Sequence, residues 1–233
     1  MTRDALPAGF QVGKTERPTE PRFPLWGKLA FTAFVAVLVP TYWYHYTPAN
    51  FLYFCDVALF LTLLGLWTEQ PVFASMGAVG IVLPQSLWII DFLVRATTGG
   101  HVVDLTEYMF DPQLSLYLRG LSFFHFWLPL MLLWMVRQQG YDRRALRYQT
   151  MVMVVVLAVS YLLVDSPTGP AGNVNKVFGP GEGTEPISTQ AAWLRPLLTY
   201  RYLWVGTLML IHATAILLPS HLILRLAFRK RTS

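Results

Sequence analysis

Ionisable side chains are rare within the long apolar segments of this chain, and those present are the first candidates for chemistry. Asp91 lies in the apolar stretch SLWIIDFLV, Asp56 lies in NFLYFCDVA, and His125 lies in LSFFHFWLP. His45 and Asp165 fall at the ends of two further apolar segments. Carboxylates and imidazoles in such surroundings transfer protons, bind metal ions or anchor the polar part of a ligand. Which of these roles is possible depends on how the surrounding apolar segments position the residues.

Length and composition predict a membrane protein. The 233 residues are 54% hydrophobic and only 13% charged, whereas soluble domains carry about 25% charged residues. A bilayer core is crossed by roughly 20 mostly apolar helical residues. Six segments meet this length, namely 25–45, 51–69, 71–95, 120–138, 148–165 and 200–224. We therefore predict an all-α, polytopic transmembrane helix bundle of about six spans, with the lipid bilayer as its main partner.

Polar segments flank and interrupt these spans. Residues 1–24 are rich in proline and predict a disordered cytoplasmic tail, and residues 229–233 predict a basic cytoplasmic tail. The bundle then occupies residues 25–228, with long loops at 96–119 and 166–199. We call these two segments the first long loop and the second long loop.

The distribution of Lys and Arg predicts the orientation. Of the 18 such residues, 13 fall on one side of the predicted spans and 5 on the other. Positively charged loops remain in the cytoplasm, so both termini should be cytoplasmic and both long loops should face outward. The net charge of +5 is explained in this way, and no nucleic-acid motif accompanies it.

With this orientation, Asp56, Asp91 and His125 all fall in the outer third of the bilayer, as do His45 and Asp165. The first three are therefore the candidate catalytic or ligand-anchoring residues. Two structural alternatives remain open. Asp91 can pair with Arg95 four residues later, and Asp56 and His125 can form a hydrogen bond that joins two helices.

The first long loop contains the segment HVVDLTEYMFD. If this segment is helical, His101, Asp104 and Asp111 share one face with Tyr108, since they are spaced by three, four and three residues. Such a face would be a candidate metal site for zinc or a similar ion. The alternative is an amphipathic helix that lies at the membrane surface.

The second long loop contains the segment GPAGNVNKVFGPGEG. It lacks the Gly-Lys-Ser/Thr ending of a phosphate-binding loop. Asn173, Asn175 and Lys176 are the candidate ligand-binding residues, because they offer amide and ammonium donors. Glycine and proline at this density favour a fixed structure, so we expect residues 174–179 to pack on the bundle as a lid with Phe178 buried.

Five motifs carry a family resemblance: NFLYFCDVA, PQSLWIIDF, GYDRR, NVNKVFGP and LPSHLILR. They resemble an uncharacterised family of bacterial polytopic integral membrane proteins that are known only as membrane-associated. The resemblance implies a multi-pass protein of the bacterial inner membrane, and it implies no activity.

Three function classes follow from these features. The first is binding of a lipid-like or other small ligand at a polar Asp/His site in the outer third of the bilayer. The second is a membrane-embedded hydrolase or transferase that uses an Asp/His acid–base pair or a metal. The third is a non-catalytic subunit or scaffold with a membrane protein partner. The sequence indicates no particular cofactor and leaves enzymatic activity open.

Overall fold

The computed structural model describes residues 22–181 and 183–228. Within these residues the fold is helical and contains no strand, as predicted. The α-helices are α1 (Leu25–Tyr46), α2 (Phe54–Thr68), α3 (Pro71–Thr98), α4 (Leu116–Ser122), α5 (Phe124–Gln139), α6 (Ala145–Leu163), α7 (Arg195–Thr199), α8 (Arg201–Ile211) and α9 (Leu218–Ala227).

Five helical segments of the described chain are long and apolar enough to cross a membrane. They are Leu25–Tyr46, Pro71–Thr98, Leu116–Gln139, Ala145–Leu163 and Arg201–Ala227. The segment Leu116–Gln139 joins α4 to α5, and Arg201–Ala227 joins α8 to α9 through a π-helical turn at His212–Leu217. These segments correspond to five of the six predicted spans, so the all-α polytopic bundle is confirmed.

The sixth predicted span corresponds to α2, which has only 15 residues. A 3₁₀ turn at Pro48–Leu52 precedes it and makes the helix shorter than predicted. It nevertheless returns to the level at which α1 begins, because Lys28 in the first turn of α1 pairs with Glu69 directly after α2 at 2.6 Å. Burial raises the pKa of Glu69, but the hydrogen bonds from Lys28 and from the Arg22 backbone outweigh it and lower that pKa overall.

Most of the predicted tails lies outside the described residues. Residues 22–24 are described, and two of them contact the bundle. Phe23 is buried against Trp134 with ring centroids 5.3 Å apart, and the Arg22 backbone N–H donates to Glu69. The end of the predicted tail, residues 22–24, is therefore attached to the bundle.

Helix α3 lies at the centre and packs against α2, α5, α6 and α9. Its first half presents small residues, and Ala74 and Ala78 are fully buried. A Cβ added at Gly77 would lie 2.9 Å from the side chain of Leu132 on α5. Small side chains let helix backbones approach closely, which is a common way to pack helices in membranes.

The two ends of the bundle differ. One end, which we call the loop end, carries both long loops together with the last turn of α1 and the first turn of α2. The other, the basic end, carries the starts of α1 and α3, the α5–α6 turn and α9. At the basic end Asp142 donates its backbone N–H to Ser75, and Tyr141 hydrogen-bonds His221 at 2.7 Å.

Candidate ligand-binding cavity at the loop end

A polar cavity of about 520 Å³ opens at the loop end. We call it the loop cavity. Its lining comes from five parts of the chain: the end of α1, the 3₁₀ turn with the start of α2, the first long loop, the α4–α5 junction, and the second long loop. Asp56 and His125 both line it, and Asp91 does not. The fold therefore brings together two of the three predicted residues.

Asp56 is the most unusual residue of the loop cavity. It lies in the first turn of α2 and is only 2% exposed. Its Oδ2 accepts a hydrogen bond from Asn50 at 3.3 Å and a weaker one from the Cys55 thiol at 3.7 Å. Its Oδ1 is buried and has no donor among the described residues. A buried carboxylate oxygen is costly unless it is hydrogen-bonded, so this atom requires a donor from a water molecule or a ligand.

His125 is held in one orientation. Its Nδ1 lies 2.7 Å from the backbone carbonyl oxygen of Ser122. Because a carbonyl only accepts, Nδ1 carries the proton, and Nε2 of the neutral ring is the acceptor. The ring also stacks on Phe124 and Trp88, with centroids 4.1 and 5.3 Å away.

Tyrosines form much of the remaining lining, and sequence reasoning missed them as site residues. They are Tyr42, Tyr46, Tyr53 and Tyr108. Tyr42 forms a 2.7 Å hydrogen bond with Ser122, which links α1 to the start of the α4–α5 span. Burial raises the pKa of Tyr108 in the first long loop, so its phenol stays protonated at neutral pH. For Tyr42 and Tyr46 the sequence did contain a signal, because a spacing of four residues places both side chains on one face of α1.

The second long loop covers one side of the loop cavity and packs on the bundle as predicted, but Phe178, which was expected to be buried, is only partly so. Val174 and Val177 are fully buried, and Phe178 is partly buried under the guanidinium of Arg201 at 3.9 Å from its ring centroid. Asn175 lies in the same segment. Its amide donates to the Leu52 carbonyl at 2.6 Å and accepts the Phe54 N–H at 3.3 Å, so it joins this loop to the start of α2.

The three predicted ligand-binding residues are used mainly inside the protein. The Asn173 amide donates to the carbonyls of Gly179 and Gly181 and accepts the Phe178 N–H. The Asn175 amide is hydrogen-bonded to the Leu52 carbonyl and the Phe54 N–H. Lys176 donates to the Gly181 carbonyl at 2.7 Å. Asn173 and Lys176 do line the loop cavity, but the amide groups of both asparagines already have backbone partners.

Asp91 has a structural role that corrects the sequence interpretation. It is fully buried and accepts six hydrogen bonds of 2.7 to 3.2 Å. Five come from consecutive backbone N–H groups of residues 102–106, and the sixth comes from the Thr106 hydroxyl. Arg95, the alternative partner of Asp91, does not donate to it. Asp91 also forms no hydrogen bond with Asp56. The carboxylate sits in a nest of amides, which fixes the loop that carries Tyr108 to the loop cavity.

The predicted metal face is absent. The segment around His101 is not helical, and the first long loop contains only a short 3₁₀ turn at Glu107–Met109. Asp104 has a φ of 57° and pairs with Arg95, while Asp111 lines the loop cavity. Across residues 22–181 and 183–228, no group of three potential His, Cys, Asp or Glu ligands is placed to hold a metal ion. Residues 102–106 turn around Asp91 so that their backbone N–H groups point at its carboxylate. This part of the loop therefore cannot form the helix that the predicted metal site required.

The other polar residues near the loop end contribute less. His45 and Asp165 are exposed. His212 bonds the Leu208 carbonyl at 2.9 Å and packs against Phe54, so it acts as a packing residue.

Comparison with known proteins adds no relative. No family model, curated protein or solved structure matches this chain. The resemblance of the five motifs to bacterial membrane-associated proteins thus remains an expectation. A function has to be argued from the loop cavity itself.

Proposed function

We propose that this protein is a multi-pass protein of a bacterial inner membrane that binds the polar end of a small, lipid-like ligand in the loop cavity. The loop cavity would face outward, in keeping with the Lys and Arg distribution. The bilayer supplies the ligand, and the second long loop covers its polar end.

The observation that carries this proposal is the unpartnered Oδ1 of Asp56. A carboxylate at 2% exposure with one oxygen lacking a donor favours a ligand that brings an N–H or O–H group. A protonated amine satisfies both the charge and the hydrogen bond, and such charge-assisted bonds contribute about 1.5–3 kcal/mol. Phenol rings at the wall add attraction for a cation.

The test is titration of the full-length protein in lipid nanodiscs with four dodecyl or decyl probes. Dodecylamine carries charge and N–H donors, dodecyltrimethylammonium carries only charge, dodecanol carries only an O–H donor, and decanoate carries the opposite charge. We expect saturable binding of dodecylamine above the level of empty nanodiscs, weaker binding of the trimethylated probe and dodecanol, and none of decanoate.

Asp56→Asn should weaken dodecylamine binding at least about tenfold, which corresponds to loss of one charge-assisted hydrogen bond. Asp165→Asn is the matched control, because Asp165 is an exposed carboxylate at the same end and is not part of the cavity lining. Equal affinity of the wild type and Asp56→Asn, or no saturable binding of any probe, would contradict the proposal.

A second candidate is a membrane-embedded hydrolase or transferase in which His125 acts as a general base. Its favouring observation is the fixed Nδ1–H bond to Ser122, which leaves the Nε2 lone pair available. General-base catalysis contributes about 10²–10⁴-fold. Hydrolysis of nitrophenyl ester or phosphodiester probes by nanodisc protein, lost at least a hundredfold in His125→Gln and retained in His45→Gln, would support it. Without such turnover, ligand binding remains the proposal.

A further inference from the structure

We propose that the basic end of the bundle holds a separate binding site for the headgroup of an anionic phospholipid. The site is a cavity of about 220 Å³ lined by Arg143, Leu222, Arg225 and Leu226. It lies at the opposite end from the loop cavity and does not depend on the function proposed there. We call it the basic cavity.

The two arginines of the basic cavity are uncompensated. The nearest acid in sequence, Asp142, is engaged by Arg144 through bonds of 2.8 and 3.2 Å. These hydrogen bonds hold the pKa of Asp142 below its ordinary value, so it stays ionised and paired. Within residues 22–181 and 183–228, the guanidiniums of Arg143 and Arg225 form no ion pair and no side-chain hydrogen bond.

A defined contact brings these arginines together from different helices. Tyr141, two residues before Arg143, hydrogen-bonds His221 of α9 at 2.7 Å, and their rings lie 5.6 Å apart. His221 is four residues before Arg225. The α5–α6 turn and α9 are therefore held so that two positive charges share one small cavity.

The leucines give this cavity an apolar side. Leu222 and Leu226 flank Arg225 on one face of α9, and they are 46% and 74% exposed. In a bilayer this face meets acyl chains. Guanidinium groups bind phosphate oxygens through paired, directional hydrogen bonds. Phosphate recognition beside exposed leucines matches an anionic phospholipid at a membrane surface, whereas a free phosphate would use only the arginines.

Native mass spectrometry of the full-length protein in detergent micelles tests this site. The probes are dioleoyl phosphatidylglycerol, dioleoyl phosphatidylcholine and inorganic phosphate. We expect one phosphatidylglycerol to be retained at concentrations at least about tenfold below those required for phosphatidylcholine. Phosphate at millimolar concentration should not displace it. Displacement by phosphate would mean a soluble-anion site and would overturn the lipid assignment.

The variants separate this site from general surface charge. Arg143→Gln/Arg225→Gln should weaken retention of the first phosphatidylglycerol at least about tenfold. The control Arg137→Gln/Arg147→Gln removes the same charge from exposed positions near the same end and should change it less than threefold. Equal losses in the two double variants would overturn the proposal.

Two further variants guard against misfolding. Arg225→Gln alone removes an exposed side chain without a partner among the described residues, so it should fold normally and still lose affinity. Arg143→Lys/Arg225→Lys keeps the charge and should restore binding partly. A normally folded Arg225→Gln protein with unchanged retention would also contradict the site.

Discussion

Asp56 and Asp91 are both buried acids of the apolar segments, but their hydrogen bonding differs. Asp91 accepts six hydrogen bonds from the chain that follows α3. Asp56 has one oxygen without a donor among the described residues. A saturated carboxylate stabilises the fold, whereas an unsaturated one reduces stability and is available to a ligand. The two should therefore respond oppositely to the same substitution.

Asp91→Asn should destabilise the protein by at least about 2 kcal/mol. The amide NH₂ of asparagine would face backbone N–H groups that now donate to the carboxylate, and each buried donor left unpaired costs about 1–3 kcal/mol. Thermal unfolding in detergent measures the effect, and Asp165→Asn should lie within about 0.5 kcal/mol of wild type. A wild-type melting temperature for Asp91→Asn would contradict the role assigned to this nest.

Asp56→Asn should leave stability unchanged or raise it. The asparagine side chain has nearly the same shape, and the substitution removes a buried acid whose Oδ1 lacks a donor. The same thermal unfolding measurement, made in the absence of added ligand, should give a melting temperature equal to or above that of wild type. A loss comparable to that of Asp91→Asn would mean that Asp56 is a structural residue.

At the scale of elements, the second long loop is an ordered lid rather than a linker. A connection of this length is uncommon unless it is functional or disordered. Here Val174 and Val177 are buried, Trp204 donates to the Lys176 carbonyl at 2.7 Å, and Tyr53 donates to the Ala171 carbonyl at 3.0 Å. These contacts fix the lid against α2 and α8.

Asn175→Ala should release this lid. The substitution removes both hydrogen bonds to the start of α2 and leaves the Leu52 carbonyl and the Phe54 N–H unpaired. Limited proteolysis of the folded protein should cleave between residues 173 and 183 several-fold faster than in wild type. Ser188→Ala, at an exposed position of the same loop, should not change the rate. Rapid cleavage of the wild type would mean that the lid is not closed in solution.

At the scale of the whole molecule, the uneven distribution of charge predicts which end of the bundle faces the cytoplasm. The basic end carries the unpaired arginines of α9 and the α5–α6 turn, and the loop end carries the polar cavity. An even number of passes places both termini on the same side. Five helices are long and apolar enough to cross a membrane, and we predict that the shorter α2, whose end pairs with Lys28 through Glu69, makes the sixth pass.

Reporter fusions test this topology directly. A reporter after Ser233 and one inserted near Asp142 should both report the cytoplasm, and one near Gly181 should report the exterior. The physical reason is that Lys and Arg resist translocation, with 13 of the 18 on one side. An exterior signal from the C-terminal fusion would invert the orientation and would place the loop cavity on the cytoplasmic side.

The sequence alone determined the helical architecture. Apolar runs of bilayer length form helices because the backbone must satisfy its hydrogen bonds internally where water is absent. Turn signals such as Gly99 and Gly140, which adopt φ values of 74° and 85°, located the ends of α3 and α5. The 3₁₀ turn at Pro48–Leu52 was missed in part, since its apolar last residues, Phe51 and Leu52, fall within the second predicted span.

Only the tertiary structure decided what the polar residues do. Asp91, Asp56 and His125 look equivalent in sequence, because each is one ionisable group in an apolar run. Their difference depends on whether the neighbouring chain folds back to donate hydrogen bonds, as the backbone amides of residues 102–106 do for Asp91, and residue type does not encode where those amides point. The same amides excluded the helical metal face, since a backbone that wraps a carboxylate cannot also be a helix. The hydrophobic length of a span follows from composition alone, whereas the saturation of a buried carboxylate depends on the three-dimensional path of the loop beside it.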